Sequence, residues 1–329
     1  MREEGVARMT TSKLALVFPG QGCQFVGMGK ELCEAYAEAR AVFERADDVL
    51  GSALSRLCFE GPENELNDTA NTQPAIYVTT YALWQVLRPR LEPALPQVAC
   101  VAGHSMGEFS ALAVAGAFGF EDGLRLVRCR GEAMRDAGAT TPGGMAAILG
   151  LEDAAVAEVV AAANEGRPSP AVWVANYNAP GQVVIAGEKE ALDRALSLAR
   201  ERKAKRAIPL AVSVPCHTPL MGAAAERLGA ALAATTLCRP WAPVVSNVTA
   251  TPIADPRAIV AALLRQLTSP VRWVESVQGM VQEGVMAMVE VGPKAVVSGL
   301  VGRISPSVAL YSVTDVASVR AFNVEALHL

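Results

Sequence analysis

The sequence predicts an α/β protein with a mostly parallel sheet, and three observations carry that prediction. Short apolar runs, of the kind a strand buried on both faces needs, recur at 14–18, 98–102 and 285–291. Segments with apolar residues at helical spacing lie between and beside them, so strand and helix alternate. One internal stretch, 142–212, changes to a different order of elements and reads as an inserted unit.

The elements follow in order. Residues 14–18 (LALVF) form the first strand, which stops at Pro19 and enters the glycine-rich loop PGQGCQ. Residues 30–50 place Leu32, Tyr36, Val42, Phe43, Ala46 and Val49 at helical spacing. The next helix spans 75–87, with Pro74 near its start and Pro89 closing it. Strand 98–102 precedes a helix of small residues over 108–117 and another over 122–135. TTPGG at 140–144 then breaks the pattern. Strands at 145–149, 172–176, 183–186 and 207–212 and helices at 152–164 and 188–202 give the order βαββαβ, a ferredoxin-like unit. Beyond Pro215, helices are expected near 220–234, 255–267 and 295–304, and strands at 244–247 and 285–291. The expected organisation is a large α/β domain at 13–141 and 213–316, interrupted by a ferredoxin-like subdomain at 142–212. Residues 1–12 and 317–329 read as leader and tail.

Composition narrows the function. Of 329 residues, 51% are hydrophobic and 19% charged, enough apolar material for a large core and unlike a disordered chain. The net charge is -4 and aromatic content is 5%, so neither a cationic field nor stacking platforms for nucleic acid are present. The 7 cysteines are odd in number and include no CxxC pair, which argues against a disulfide scaffold and a zinc site and for a reducing, cytoplasmic setting. MREEGVARMTTSK has no apolar run and does not read as a secretory signal. The longest apolar stretch, 111–120, is far short of the roughly 18 residues of a membrane span.

Gly103-His104-Ser105-Met106-Gly107 fits G-x-S-x-G. By chance this motif turns up in on the order of one in ten chains of such length, so context matters. Here it follows a buried strand and opens a helix, the setting of a nucleophile elbow, which makes the larger domain α/β-hydrolase-like. The helix start places partial positive charge near the serine oxygen. The competing reading is a turn whose serine caps the helix. A nucleophilic serine needs a base, and the chain has 3 histidines. An elbow aims His104 away from the serine, and His328 lies in the tail. His217, in VPCHTPL where the inserted unit rejoins the large domain, is left as the base, against the alternative of a structural histidine. An oxyanion needs two fixed N–H donors. Met106, following the nucleophile, supplies one. Gln21, in the loop after the first strand, is the candidate for the other, unless that loop is a simple turn.

FPGQGCQ, TQPA at 72–75, GHSMGE at 103–108, RG at 130–131, NYNAPGQVVIAG at 176–187, VSVPCH at 212–217, RQL at 265–267 and EVGP at 290–293 resemble, in order, malonyl-CoA:acyl-carrier-protein transacylases. The resemblance runs over roughly 14–305. SNVTATP at 246–252 and SPVRW at 269–273 look like the discrete acyltransferases that serve polyketide synthases in trans. The resemblance implies that Ser105 carries the acyl ester, with His217 as base and later acid. It implies Gln21 and Met106 as oxyanion donors, and Gln266 as the residue that orients the histidine through its backbone carbonyl or side chain. Arg130 would bind the free carboxylate of malonyl, and a planar guanidinium suits that task. On spacing alone Arg130 reads as a surface helix charge beside Arg125 and Arg128. Asn178 would contact substrate. Cys23 and Cys216 stand where relatives often carry serine, and Cys216 sits at a position linked to acyl choice. Both read as small buried residues rather than nucleophiles.

The implied reaction is ping-pong transfer from malonyl-CoA to the phosphopantetheine thiol of an acyl carrier protein, for polyketide or fatty acid synthesis, with no metal or bound cofactor. The chain is expected to act as a monomer, without nucleic acid or membrane. The alternatives are an acyl hydrolase of the same fold that clears carrier proteins, a transferase for a substituted malonyl unit, and a non-catalytic binding protein. Arg200, Arg202, Lys203, Lys205 and Arg206 form the densest basic cluster; a solvated helix end is the favoured reading over a carrier-docking patch.

Overall fold

The computed structural model describes residues 13–212 and 214–327. The leader at 1–12 and His328 lie outside the described residues. In chain order the strands are β1 (Lys13–Phe18), β2 (Val98–Gly103), β3 (Gly143–Leu149), β4 (Val172–Ala179), β5 (Gln182–Glu188), β6 (Arg206–Pro209), β7 (Val244–Val245), β8 (Pro252–Ile253), β9 (Val271–Arg272), β10 (Val285–Val291) and β11 (Ala309–Val313). They form two sheets, ordered β11-β10-β1-β2-β7-β8 and β6-β3-β5-β4-β9. In the larger sheet all neighbours are parallel except β7 and β8. This is the α/β class with a mostly parallel sheet that the apolar runs imply.

β1 lies at the centre of the large sheet, between β10 and β2, and Leu14 to Phe18 are fully buried. From β1 the chain crosses first to β2 on one side and later to β10 on the other. The carboxyl ends of β1 and β2, paired at Phe18 and Gly103, therefore mark a switch point, where open α/β sheets bind ligands. The one charge in β10, Glu290, is fully buried and accepts backbone N–H bonds from Val296, Val297 and Ser298 at 2.8, 2.8 and 2.6 Å. It thus closes the N-terminus of the helix Val297–Ile304, which explains a carboxylate inside an otherwise apolar strand.

In the smaller sheet, β6-β3-β5-β4 is antiparallel throughout and has the strand order of a ferredoxin-like unit. Its helices Asp153–Asn164 and Lys189–Glu201 bury Val156, Val159, Leu192 and Leu196 against it. The sheet does not end with the inserted stretch. β9, which comes later in the chain, pairs parallel to β4 at Asn176 and Tyr177.

Several expectations change. The helix expected over 30–50 is two, Lys30–Ala35 and Ala37–Leu50, parted at Tyr36, whose backbone is extended. The helix expected over 75–87 runs from Thr69 to Leu91, straight through Pro74 and Pro89. Asp68 caps it by accepting from Ala70 N–H at 2.8 Å. Pro74 leaves the carbonyl of Ala70 without its helical donor. Arg128 replaces that donor, its Nη1 lying 2.8 Å from Ala70 O. The tail expected from 317 is folded as well. The helix Val316–Ala321 and a 3-10 turn at Val324–Leu327 follow β11 and bury Val319 and Leu327. Strand 207–212 ends early, at Pro209, and strand 244–247 is only β7.

The helix Phe120–Thr140 packs on Thr69–Leu91 at Gly131, where a Cβ would lie 2.6 Å from Thr69 O and 2.9 Å from Ala70 Cα. This close approach sets the depth of Arg130, one residue earlier. Gly131→Ala is expected to push the two helices apart and to lower stability by roughly 1–3 kcal/mol, the usual cost of overpacking. Urea denaturation of both proteins checks it.

Candidate active site

β2 ends at Gly103, and the helix Gly107–Val114 starts four residues later. The turn between them puts Ser105 at φ 52, a left-handed conformation that costs a non-glycine residue on the order of 1–3 kcal/mol. Both flanking glycines are required. A Cβ on Gly103 would meet Gly107 C at 1.9 Å, and one on Gly107 would meet Phe18 O at 2.3 Å. Asn247 pins the turn: its Oδ1 accepts from Ser105 N–H at 2.7 Å and its Nδ2 donates to Gly103 O at 2.7 Å.

Ser105 Oγ lies 2.8 Å from His217 Nε2. His217 Nδ1 lies 2.9 Å from the backbone carbonyl of Gln266. A carbonyl only accepts, so Nδ1 carries the proton and Nε2 presents a lone pair to the serine hydroxyl. The imidazole is buried at 3% exposure. Burial first, then the charge of Arg130, pushes its pKa down to about 3, so it is neutral across the physiological range.

Arg130 is fully buried, which overturns the surface-charge reading. Its Nη1 donates to Gln73 Oε1 at 2.8 Å, and its Nη2 donates to Gln266 Oε1 at 3.0 Å and Ser105 Oγ at 3.1 Å. Its Nε has no partner among the described residues. The guanidinium also sits over the Phe109 ring, 5.6 Å from its centroid. Burial lowers its pKa to about 10, still well above neutrality. Of the two routes open to Gln266, the backbone carbonyl is the one that meets His217. The side chain serves Arg130 instead, and its Nε2 donates to Ser105 O at 3.0 Å and Glu108 Oε2 at 2.7 Å.

Gln21, His104, Ser105, Asn178, Cys216 and His217 line one cleft of about 170 Å³, which Met134 of the large unit and Met145 and Val184 of the small sheet help to wall. The backbone N–H groups of Gln21 and Met106 donate to no other group among the described residues. The Gln21 side chain accepts from Thr69 Oγ1 at 3.1 Å. The His104 side chain points into the cleft as well, and its Nε2 meets Asn178 Oδ1 at 2.7 Å. Asn178 is thus engaged with His104. Cys23 and Cys216 are buried; burial pushes the Cys216 thiol up to about 11 and the Cys23 thiol beyond the ordinary range, so both stay protonated. In the basic cluster, Arg202 pairs with Glu158 and Arg200 donates to Ala207 O at 3.1 Å, as a solvated helix end does.

Three site residues escaped the sequence reading. Gln73 lies in TQPA, Asn247 in SNVTATP and Glu108 directly after the elbow. An uncapped amide or acid inside a small-residue segment was the available signal.

A neutral imidazole facing a serine hydroxyl on a strained strand-to-helix turn is the arrangement of a serine-dependent acyl-transfer site. The chain belongs to the acyl transferase family: the profile described as "Acyl transferase domain" matches residues 15–318. It is 45% identical over 309 residues to the "Malonyl CoA-acyl carrier protein transacylase" of Haemophilus influenzae, covering 94% of this chain and 97% of that protein. Among solved structures it is similar to an acyl carrier protein S-malonyltransferase from Vibrio cholerae, with TM-score 0.88, 46% identity and coverage of 94% and 99%. It is also similar to a malonyl-transacylase solved in complex with its type II PKS acyl-carrier protein, with TM-score 0.88, 42% identity and coverage of 94% and 98%.

The depressed pKa of His217 predicts how Ser105 reacts with a neutral fluorophosphonate probe. The labelling rate is expected to stay level from about pH 8 to about pH 5, because the imidazole remains unprotonated there. A fall centred near pH 6.5 would mark an imidazole in contact with solvent.

Proposed function

We propose that the protein moves a malonyl group from malonyl-CoA to the phosphopantetheine thiol of an acyl carrier protein, through an ester on Ser105. The observation that carries this reading is the buried Arg130 guanidinium, 3.1 Å from Ser105 Oγ. A cation with an unpartnered Nε at that distance suits an acyl group with a second carboxylate, and malonyl has one.

In the first half-reaction Ser105 Oγ attacks the thioester carbon while His217 Nε2 takes the hydroxyl proton. The oxyanion accepts from the N–H groups of Gln21 and Met106. The tetrahedral adduct collapses, the C–S bond breaks, and His217 returns the proton to the departing CoA thiolate. In the second half-reaction His217 takes the proton of the carrier thiol as its sulfur attacks the ester. The same proton then goes to Ser105 Oγ, and the acyl group leaves on the carrier. These steps call on side chains and backbone amides alone, so the reading includes no cofactor. The inserted stretch 142–212 is read as a subdomain that walls the cleft through Met145, Asn176 and Val184. Seven unpaired thiols support a reducing compartment such as the cytoplasm. No helix among the described residues is long and apolar enough to cross a membrane.

Mass spectrometry tests the reading. The enzyme incubated with malonyl-CoA alone should carry one malonyl group, and adding holo carrier protein should move it there. Free malonate, with an unmodified carrier, would identify a hydrolase instead. Arg130→Ala is expected to lower kcat/KM for malonyl-CoA on the order of a hundredfold and that for acetyl-CoA by a few-fold at most. Equal losses would remove the carboxylate grip from the account.

A further inference from the structure

Behind the cleft lies a buried carboxylate that the steps above do not use. Glu108 is 1% exposed, in the first turn of the helix that Ser105 opens. Its Oε2 accepts from Gln266 Nε2 at 2.7 Å and from Asn247 N–H at 3.3 Å. It makes no ion pair with Arg130; the Gln266 amide stands between them. That amide can face only one way. Its nitrogen faces the Ser105 carbonyl, which only accepts, and the Glu108 carboxylate, which only accepts while ionised; its oxygen faces Arg130, which only donates. A flipped amide would set oxygen against carboxylate and carbonyl, and nitrogen against guanidinium.

We propose that Glu108 is a positioning residue for acyl selection: by orienting the Gln266 side chain it holds the Arg130 guanidinium at the depth where it meets a carboxylate on the acyl group, and so sets the preference for dicarboxylic over monocarboxylic acyl thioesters.

This rests on the reading of Arg130 given above. Three features support it. Gln266 Oε1 and Gln73 Oε1 hold the two terminal nitrogens of Arg130 from two different helices, and Glu108 backs the first of these. A buried carboxylate in hydrogen-bond contact is far costlier than a buried amide, so a purely structural contact would not require it. Glu108 also sits near its titration point. Burial raises its pKa to about 7, against the opposing pull of the Gln266 and Asn247 bonds and the charge of Arg130. Arg130 is the charged group that faces it; the other elements packed on it present the neutral Gln266 amide and the Asn247 N–H. Above about pH 7 the carboxylate is ionised and accepts only. Below it, protonation adds a donor and loosens the hold on the amide.

The test measures acyl-enzyme formation from malonyl-CoA and acetyl-CoA in the intact protein and in Glu108→Gln, from about pH 6 to about pH 8.5. Acetyl-CoA carries the same CoA moiety and removes its ionisations from the comparison. In the intact protein the malonyl-to-acetyl ratio of kcat/KM is expected to fall as pH drops through about 7, through a rise in the malonyl KM. In Glu108→Gln the ratio should be about tenfold lower and independent of pH. A pH-independent ratio in the intact protein, or an equal loss for both acyl groups in the variant, overturns the proposal and leaves Glu108 as a support of the elbow. Should Glu108→Gln fail to fold by circular dichroism, Gln266→Leu removes the amide and keeps the carbonyl that faces His217; an unchanged ratio there overturns the proposal equally. Failure of the Arg130 reading is separate: Arg130→Ala would then lose both acyl groups alike, whatever Glu108 does.

Discussion

The hydrogen bonds that Asn247 makes to Ser105 N–H and Gly103 O hold the strained turn from which the rest of the site is measured. A serine at positive φ relaxes unless its surroundings fix it. Asn247 fixes it from the loop after β7, and β7 is parallel to β2, so the pin and the turn leave the same sheet edge side by side. Gln266 adds a second hold by donating to Ser105 O. With the backbone fixed, His217 and Arg130 each meet Oγ from a separate element. Relaxing the turn would cost every one of those contacts together.

Electrostatics follow from the burial of the groups around this turn. Burial penalises charge, so it pushes His217 down and Glu108 up, and both move toward their neutral forms near physiological pH. Arg130 resists, because a guanidinium starts so far above neutrality that even a fall to about 10 leaves it charged. The site therefore keeps a single firm positive charge. That charge adds to the depression of His217 by burial, so the guanidinium also keeps the imidazole unprotonated.

Much of this was legible in the chain, for identifiable reasons. Strands 14–18 and 285–291 were readable because both faces are buried, Met286 excepted, and apolar runs signal that. β8 and β9 were not, because two residues have no period. The helix through Pro74 was hidden because the donor that replaces the lost backbone bond, Arg128, is 58 positions away. Ser105 stood out by its flanking glycines and His217 by the scarcity of histidine. Arg130 looked like a surface charge because helical spacing cannot show that Gly131 draws its helix against another. Glu108 was passed over because an acid in a first helical turn usually faces water and complements the helix dipole.

The pairing of His217 with a carbonyl rather than a carboxylate bears on how the proposed transfer would outcompete hydrolysis. A carboxylate partner would stabilise an imidazolium; a carbonyl does so weakly, and Arg130 opposes it. The result is a weak base. Taking a proton from a thiol of pKa roughly 8.5 is within reach of such a base far more readily than taking one from water at about 15.7. Ser105 shares water's difficulty, yet it has help that water lacks: Arg130 Nη2 donates to its oxygen, which favours developing negative charge there. On the proposed reading, once Oγ becomes an ester and the guanidinium takes up the acyl carboxylate, that help is withdrawn. An incoming water then meets a weak base with no cation on its own oxygen, whereas a thiol needs none. On the proposed reading, the residue that grips the acyl carboxylate thus also activates the serine and leaves water without assistance.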